Sequence, residues 1–510
     1  MDTLDGSEFD VLIAGTGIQQ SLLALALSRS DKKILHIDHN DYYGGTEASF
    51  SLQEAENWVM RIGDHSSQTS SSFRNASITR ASNTEESSSK LAPSRAYNLA
   101  LAPQLIYTDS KLLPSLVSSK TYRQLEFVAM GSWFVYDHDE FSNTPATLLK
   151  IPTTREDLVF SDQSIDIRSK RAIMKVLRFL MDYETQEDVW QQYAQKPFTD
   201  FLSEQFKLPE RLHSLFLALV LSLDGPQYTS TAYALPRIAR HLRSIGQLGP
   251  GFSSVIPKWG GLSEITQVAC RAGAVGGAVY VLNKGLRNAV KAESETEGED
   301  KLEVKLSDDE RVRVSWLTGT NEHTASILTL APDEEVEITS RRSVCVISSP
   351  LPSLFPTLDE GGPPPAGAVI FFPSGSLFDE SSPVYLIIHS SETGECPQGQ
   401  SVAYGFTRGP FEILDMAMDQ LLDLTDEGVR PSVLWCLKYE TQQFSSKPQI
   451  KDMDIRDCTM VFTPPSLDLV FDENVLSSVK HAWQKIMGSE ADEQHFLTFD
   501  DRNPIGEEDD

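Results

Sequence analysis

Residues 9–45, FDVLIAGTGIQQSLLALALSRSDKKILHIDHNDYYGG, decide the fold. FDVLIA (9–14) is a short apolar run that stops at Gly15, and Ile18 to Ser28 is rich in the helix formers Leu and Ala. KILHID (33–38) then reads as a second buried strand. Strand, tight turn, helix and strand within roughly 30 residues have the spacing of a βαβ dinucleotide-binding unit. Gly15 and Gly17 supply the first two glycines of its fingerprint, one for the tight turn and one for close approach of a pyrophosphate to the helix N-terminus. Gln20 stands where a third glycine would let helix and strand pack closely, while Asp38 is placed for a ribose hydroxyl. By spacing alone the motif leaves two readings open, a bound dinucleotide or a turn that only serves the fold.

Working outward, 510 residues suggest two to four domains at about 150 residues each. With 40% apolar residues the chain can bury enough surface to offset its ordering entropy, which excludes wholesale disorder. Its 73 acidic and 44 basic residues leave a net charge of −29, which argues against nucleic acid as a partner and against stable residence on anionic membranes. The acidic start MDTLDGSEFD is unlike a secretory signal, so a cytosolic location is expected. Cys270, Cys345, Cys396, Cys436 and Cys458 form no C-x-x-C pair and read as buried thiols. The histidines show no H-x-x-x-H spacing and nucleophile-elbow, Walker and kinase motifs are missing, so neither a metal site nor a catalytic residue is expected.

Residues 61–93, with ten serines and hardly any apolar periodicity, read as a low-complexity, mobile insertion. RSKRAIMKVLRFLMDY (168–183) places Ile173, Leu177, Leu180 and Met181 on one helix face, with Arg171, Lys175 and Arg178 away from it. Pro209 and Glu210 suit a helix start before the stripe of Leu212, Leu215, Phe216, Leu219, Val220 and Leu223. The pieces LEVKL and VRVSW alternate as antiparallel strands between residues 301 and 347. The expected organisation is a discontinuous, flavoprotein-like large α/β domain (1–154 and 231–490), an all-helical domain (155–230) and an acidic tail (491–510).

The pair Tyr42-Tyr43 before Gly44-Gly45 carries a specific resemblance. Residues 9–45 closely resemble the first conserved region of the Rab GDP-dissociation inhibitor and Rab escort protein superfamily. PKWGGLSEITQVACR (257–271), continuing through Gly276-Gly277 to VLNK (281–284), resembles its later conserved region. Weaker similarity runs through YRQLEFVAMGSWFVY and KIPTTREDLVF, so the resemblance covers most of residues 9 to 290. Ala48-Ser49-Phe50-Ser51 and the serine-rich insertion are more similar to the escort branch than to the compact inhibitors. The Gly-Gly turn also resembles amine-oxidase-like flavoproteins, but these usually place Arg or Lys next, where Thr46 stands here, and carry a late flavin motif not found in the last hundred residues.

The resemblance implies a non-catalytic accessory of Rab geranylgeranyl transferase. It would bind GDP-bound Rab GTPases, present them to the transferase heterodimer, shield the geranylgeranyl lipid and touch membranes transiently, without a cofactor. It implies a Rab platform of Tyr43, Glu264, Gln267, Arg271 and Val281, although the family often has Met at the last position. Independently, Glu264, Gln267 and Arg271 are spaced i, i+3, i+7 and share one face if the segment is helical, where the bland alternative is a solvated, self-paired face. Leu125, Glu126 and Phe127 match the family's site for the extended Rab C-terminus, against the alternative of a core strand. Leu215, Phe216, Leu219 and Val220 are candidates for a prenyl pocket, against ordinary core. Phe198, Phe201, Phe206 and Arg211 are candidates for the transferase contact. Two other functions stay open at this point: a recycling inhibitor and an FAD-dependent amine-oxidase-like enzyme.

Overall fold

A computed structural model describes residues 3–64, 72–81, 90–138, 145–152, 166–292, 301–324, 336–357, 364–378, 380–425, 428–444, 453–456 and 458–500. The opening unit forms as its periodicity predicts: β1 (Glu8–Ala14), α1 (Ile18–Leu27) and β2 (Ile34–Ile37), with β1 and β2 parallel. Every residue of α1 is buried, which explains why its sequence is not amphipathic; the buried Gln19 and Ser21 side chains are hydrogen-bonded within the fold. The sheet continues on either side of this pair. Val279–Val281 lies parallel to β2, Arg311–Thr320 lies parallel to β1, and Thr459–Phe462 lies parallel to the end of Arg311–Thr320. Leu302–Leu306 folds back antiparallel on Arg311–Thr320, as the alternation of LEVKL and VRVSW predicts. The helices Leu262–Val275 and Asn474–Met487 pack on α1, enclosing a core with Ile18, Leu22, Ile265, Val268, Val479 and Trp483.

A second sheet is mostly antiparallel and runs in the order Phe73–Arg80, Val433–Phe444, Val336–Ile347, Ser401–Thr407, Val384–Ser390, Gly367–Phe372, Phe127–Asp137, Ser254–Pro257 and Ile106–Tyr107. One of its faces shares a continuous core with the helices Ile167–Met181, Phe198–Phe206, His213–Val220 and Thr231–Ser244. The mixed α/β architecture agrees with the expected class.

Four features differ from the sequence reading. The serine-rich stretch is not uniformly irregular: Leu52–Asp64 is a helix, and Phe73–Arg80 is a strand paired antiparallel with Val433–Phe444. As an edge strand with Phe73 as its one buried residue, it needs little apolar alternation; the intervening residues 65–71 and 82–89 lie outside the described ones. The helical region extends past 230, because the Ser230 hydroxyl caps Thr231–Ser244, which packs on the preceding helices. In the helix Ile167–Met181, Ile173 and Leu180 are buried, but Met181 is exposed and Val176 and Phe179 complete the stripe. The acidic tail begins later than expected, since Leu497 and Phe499 are buried in the core beside α1, with the Phe499 N–H donating to Ser118 O at 3.0 Å.

Candidate functional site

The glycine turn between β1 and α1 is built as a dinucleotide turn and then filled by the chain's own side chains. Gly15 has φ +94°, a region that disfavours any residue with a Cβ, and a Cβ there would meet the His323 ring at 2.4 Å. Thr16 donates its N–H and hydroxyl to Asp38 Oδ2 at 2.8 and 2.7 Å. Asn40 donates its N–H and side-chain amide to Asp38 Oδ1 at 2.8 and 3.1 Å. Both oxygens of the carboxylate that would hold a ribose are thus engaged. The first N–H of α1, at Ile18, donates to Glu47 Oε2 at 3.1 Å. A carboxylate from the chain therefore sits where a helix N-terminus would receive a pyrophosphate. The Gly44 N–H donates to the Thr16 hydroxyl at 3.0 Å, pinning the Gly44-Gly45 loop over the turn.

These residues do not fit a flavin dinucleotide. Its pyrophosphate would have to displace the buried, hydrogen-bonded Glu47 carboxyl from the N-terminus of α1, at a cost of about 1–3 kcal/mol for each group left unpaired. Denaturing the purified protein is expected to release far less than one equivalent of flavin; one equivalent per chain would show that the 44–47 loop opens. Glu47 had no signal in the sequence, because its role depends on a loop folding back onto α1.

Burial pushes the Glu47 carboxyl up to about 7, against the bonds from Thr46 and Ile18 that lower it. A carboxyl raised in the folded chain contributes stability fully below its unfolded value near 4.5 and loses it as pH rises through about 7. Relative to Glu47→Gln, the parent chain is therefore expected to lose up to about 1.4 kcal/mol per pH unit across that window. Denaturant midpoints of the two proteins measure it, and parallel pH profiles would contradict the shift.

The second constellation is a surface. In the helix Leu262–Val275 the first three turns are buried except at Glu264 and Gln267, with Arg271 exposed on the same side two turns on. Burial raises the Glu264 carboxyl, with Arg271 opposing the shift. Gln267 Nε2 donates to Ser263 Oγ at 3.1 Å, and Arg271 Nη1 donates to Gln124 Oε1 at 3.4 Å. Tyr43 is partly exposed, and its phenol is raised by burial and by the nearby Cys270, which the same helix carries. Val281, also partly exposed, ends a strand beside β2. The five residues expected to form the platform thus come from neighbouring elements of one sheet-and-helix edge.

This edge continues into residues 124–127. The Lys258 N–H donates to Glu126 O at 2.9 Å, and Lys258 Nζ pairs with the Glu126 carboxylate at 3.3 Å. Leu125 is buried in the core with Leu116, Ile265 and Val268, whereas Glu126 is exposed and Phe127 is partly exposed. The core alternative describes Leu125 and part of Phe127, which packs against the same core from its strand, leaving Glu126 at the surface.

The helical candidates divide in the same way. Leu215, Phe216, Leu219 and Val220 are all buried in the core shared with the second sheet, so the stripe is ordinary core in this conformation and a lipid would need the helices to part. The opposite face of that helix, through Ser214 and Leu217, borders a cleft of about 460 Å³ with a mixed polar and apolar lining. Phe198 and Phe201 are fully buried, while Phe206 is partly exposed and Arg211 is exposed, 4.0 Å from Asp166. Of the four transferase candidates, only Phe206 and Arg211 can meet a partner without rearrangement.

Among the described residues no helix is long and apolar enough to cross a membrane. Cys270, Cys345, Cys396 and Cys436 are buried free thiols, and Cys458 is partly exposed.

The chain is similar to known proteins in both fold and sequence. The crystal structure of a Rab GDI from Plasmodium falciparum is similar over 96% of this chain and all of its own, with a TM-score of 0.64 at 20% identity. A putrescine oxidase variant shares the fold over 94% of this chain and 99% of its own, with a TM-score of 0.52 at 13% identity. The flavoprotein-like architecture is therefore common to both. In sequence, the Rab proteins geranylgeranyltransferase component A of Saccharomyces cerevisiae is 28% identical over 97% of this chain and 86% of its own length. The model of the GDP dissociation inhibitor family matches residues 5–404, and the chain belongs to that family.

Proposed function

We propose that this protein is a Rab escort protein. It binds GDP-bound Rab GTPases, presents their C-terminal cysteines to the geranylgeranyl transferase heterodimer and delivers the lipidated product to membranes, as a non-catalytic accessory in the cytosol. The relationship to a component A over nearly the whole chain supports the escort branch. The observation that carries the reading is the surface on which Tyr43, Glu264, Gln267 and Arg271 stand free of the core and continue through Gln124 to Glu126 and Phe127. Such a strip suits a folded GTPase at one end and its extended C-terminus at the other. The filled glycine turn weighs against the oxidase reading, since Glu47 already occupies the α1 N-terminus that would hold a pyrophosphate.

Purified Rab, transferase and geranylgeranyl diphosphate, assayed with and without this chain, test the proposal. Lipid incorporation is expected to depend on the chain and to saturate near one chain per Rab. A protein that extracts prenylated Rab from membranes yet leaves incorporation unchanged would be a recycling inhibitor instead.

A further inference from the structure

The expectation of no metal site rested on ligand spacing along the chain. Such spacing does not register residues joined by folding, and the end of β2 and the segment after Arg311–Thr320 bring Asp38, His39 and His323 together. One ligand atom from each, a carboxylate oxygen and two imidazole nitrogens, lies within 4.8 Å of the other two. The two imidazole rings stand 5.1 Å apart between centroids.

Each ligand is already oriented. Thr320 Oγ1 and His323 Nδ1 share a hydrogen bond at 2.8 Å, which leaves Nε2 as the donor atom. That Nε2 is buried and has no hydrogen-bond partner among the described residues, so its lone pair is open to a ligand. Asp38 is held by Thr16 and Asn40, as metal-binding carboxylates are held by outer partners. The Asn40 side-chain bond to Oδ1, at 3.1 Å, is the longest of the four and can yield a lone pair. His39 is exposed, and its Nδ1 lies 3.7 Å from Asp38 Oδ1. Its loop is tied at the backbone, where Asn283 N–H donates to Asn40 O and Lys284 N–H to Asp38 O.

We propose that Asp38, His39 and His323 form a divalent transition-metal site that takes zinc, with water as the fourth ligand. Two imidazoles and one carboxylate match a borderline-soft ion better than magnesium or calcium, which take oxygen ligands. Zinc bonds of about 2.0–2.2 Å require the ligand atoms to close to about 3.4 Å apart. His39 Nδ1, at 3.7 Å from Asp38 Oδ1, is already near that spacing from the carboxylate, and its side chain lies on the solvent side. The site closes the mouth of the filled dinucleotide turn and staples β2 to the segment carrying His323. It is independent of the escort reading, since none of its ligands belongs to the platform.

The untagged full chain, stripped with a chelator, is titrated with zinc against a chromophoric indicator. One equivalent is expected to bind, with affinity falling at least tenfold in His39→Ala and in His323→Gln. His495→Ala, which alters an exposed histidine outside the cluster, is expected to bind as the parent does. His39 is exposed, so its replacement should leave the fold intact, and a melting curve in chelator verifies this. Failure of the parent chain to bind one equivalent, or unchanged affinity in a folded His39→Ala variant, would overturn the site.

Discussion

Arg271→Ala and Tyr43→Ala are each expected to weaken binding to a GDP-loaded Rab by about thirtyfold, while the melting temperature changes little. Truncating an Arg or Tyr that acts as a central hot spot of an interface costs about 2 kcal/mol or more, which is that factor. Neither side chain stands in the core: Arg271 is exposed with one long hydrogen bond to Gln124, and Tyr43 is partly exposed. The self-paired alternative for this helix face predicts the reverse pattern, little change in affinity with some loss of stability. Arg271 restrains the Glu264 carboxyl across two helical turns, yet an exposed pair of this kind contributes about 0–1 kcal/mol. Titration calorimetry beside melting curves separates the two. Unchanged affinity in both variants would remove these residues from the platform.

Phe201→Ala is expected to destabilise the protein by about 3–5 kcal/mol, whereas Phe206→Ala and Arg211→Ala cost far less. Phe201 is fully buried, with ring centroids of Phe179, Tyr193 and Phe206 between 5.3 and 5.5 Å away. Removing its ring leaves a cavity where four aromatic side chains meet, and those pairs contribute beyond their buried area. Loss of transferase binding in a Phe201 variant would therefore report unfolding and not a lost contact. The informative variants for that interface are Phe206 and Arg211, read by transferase binding at unchanged denaturant midpoint. A Phe201→Ala midpoint equal to the parent's would show that the helical core is loosely packed.

What the sequence determined by itself is what depends on near neighbours along the chain. Residues 9–38 declare a βαβ unit because apolar runs, a glycine turn and a helix-forming stretch follow in fixed order, and the structure places β1, α1 and β2 within a residue or two of that reading. Glu264, Gln267 and Arg271 share a face for the same local reason, the pitch of a helix. The family blocks at 9–45 and 257–284 are contiguous and could be read without any fold.

Tertiary structure decided which partner each buried surface meets. An apolar stripe announces that one side of a helix leaves water, but not whether sheet, lipid or protein covers it; the second sheet covers Leu215, Phe216, Leu219 and Val220. The strand Phe73–Arg80 exists because Val433–Phe444 offers it an edge, not because its own largely polar sequence demands one. Glu47 over the turn, and His39 beside His323, join segments that only folding brings together. Hydrogen bonding and ligation act over about 3 Å in space, so a site assembled from distant loops leaves no periodicity in the chain.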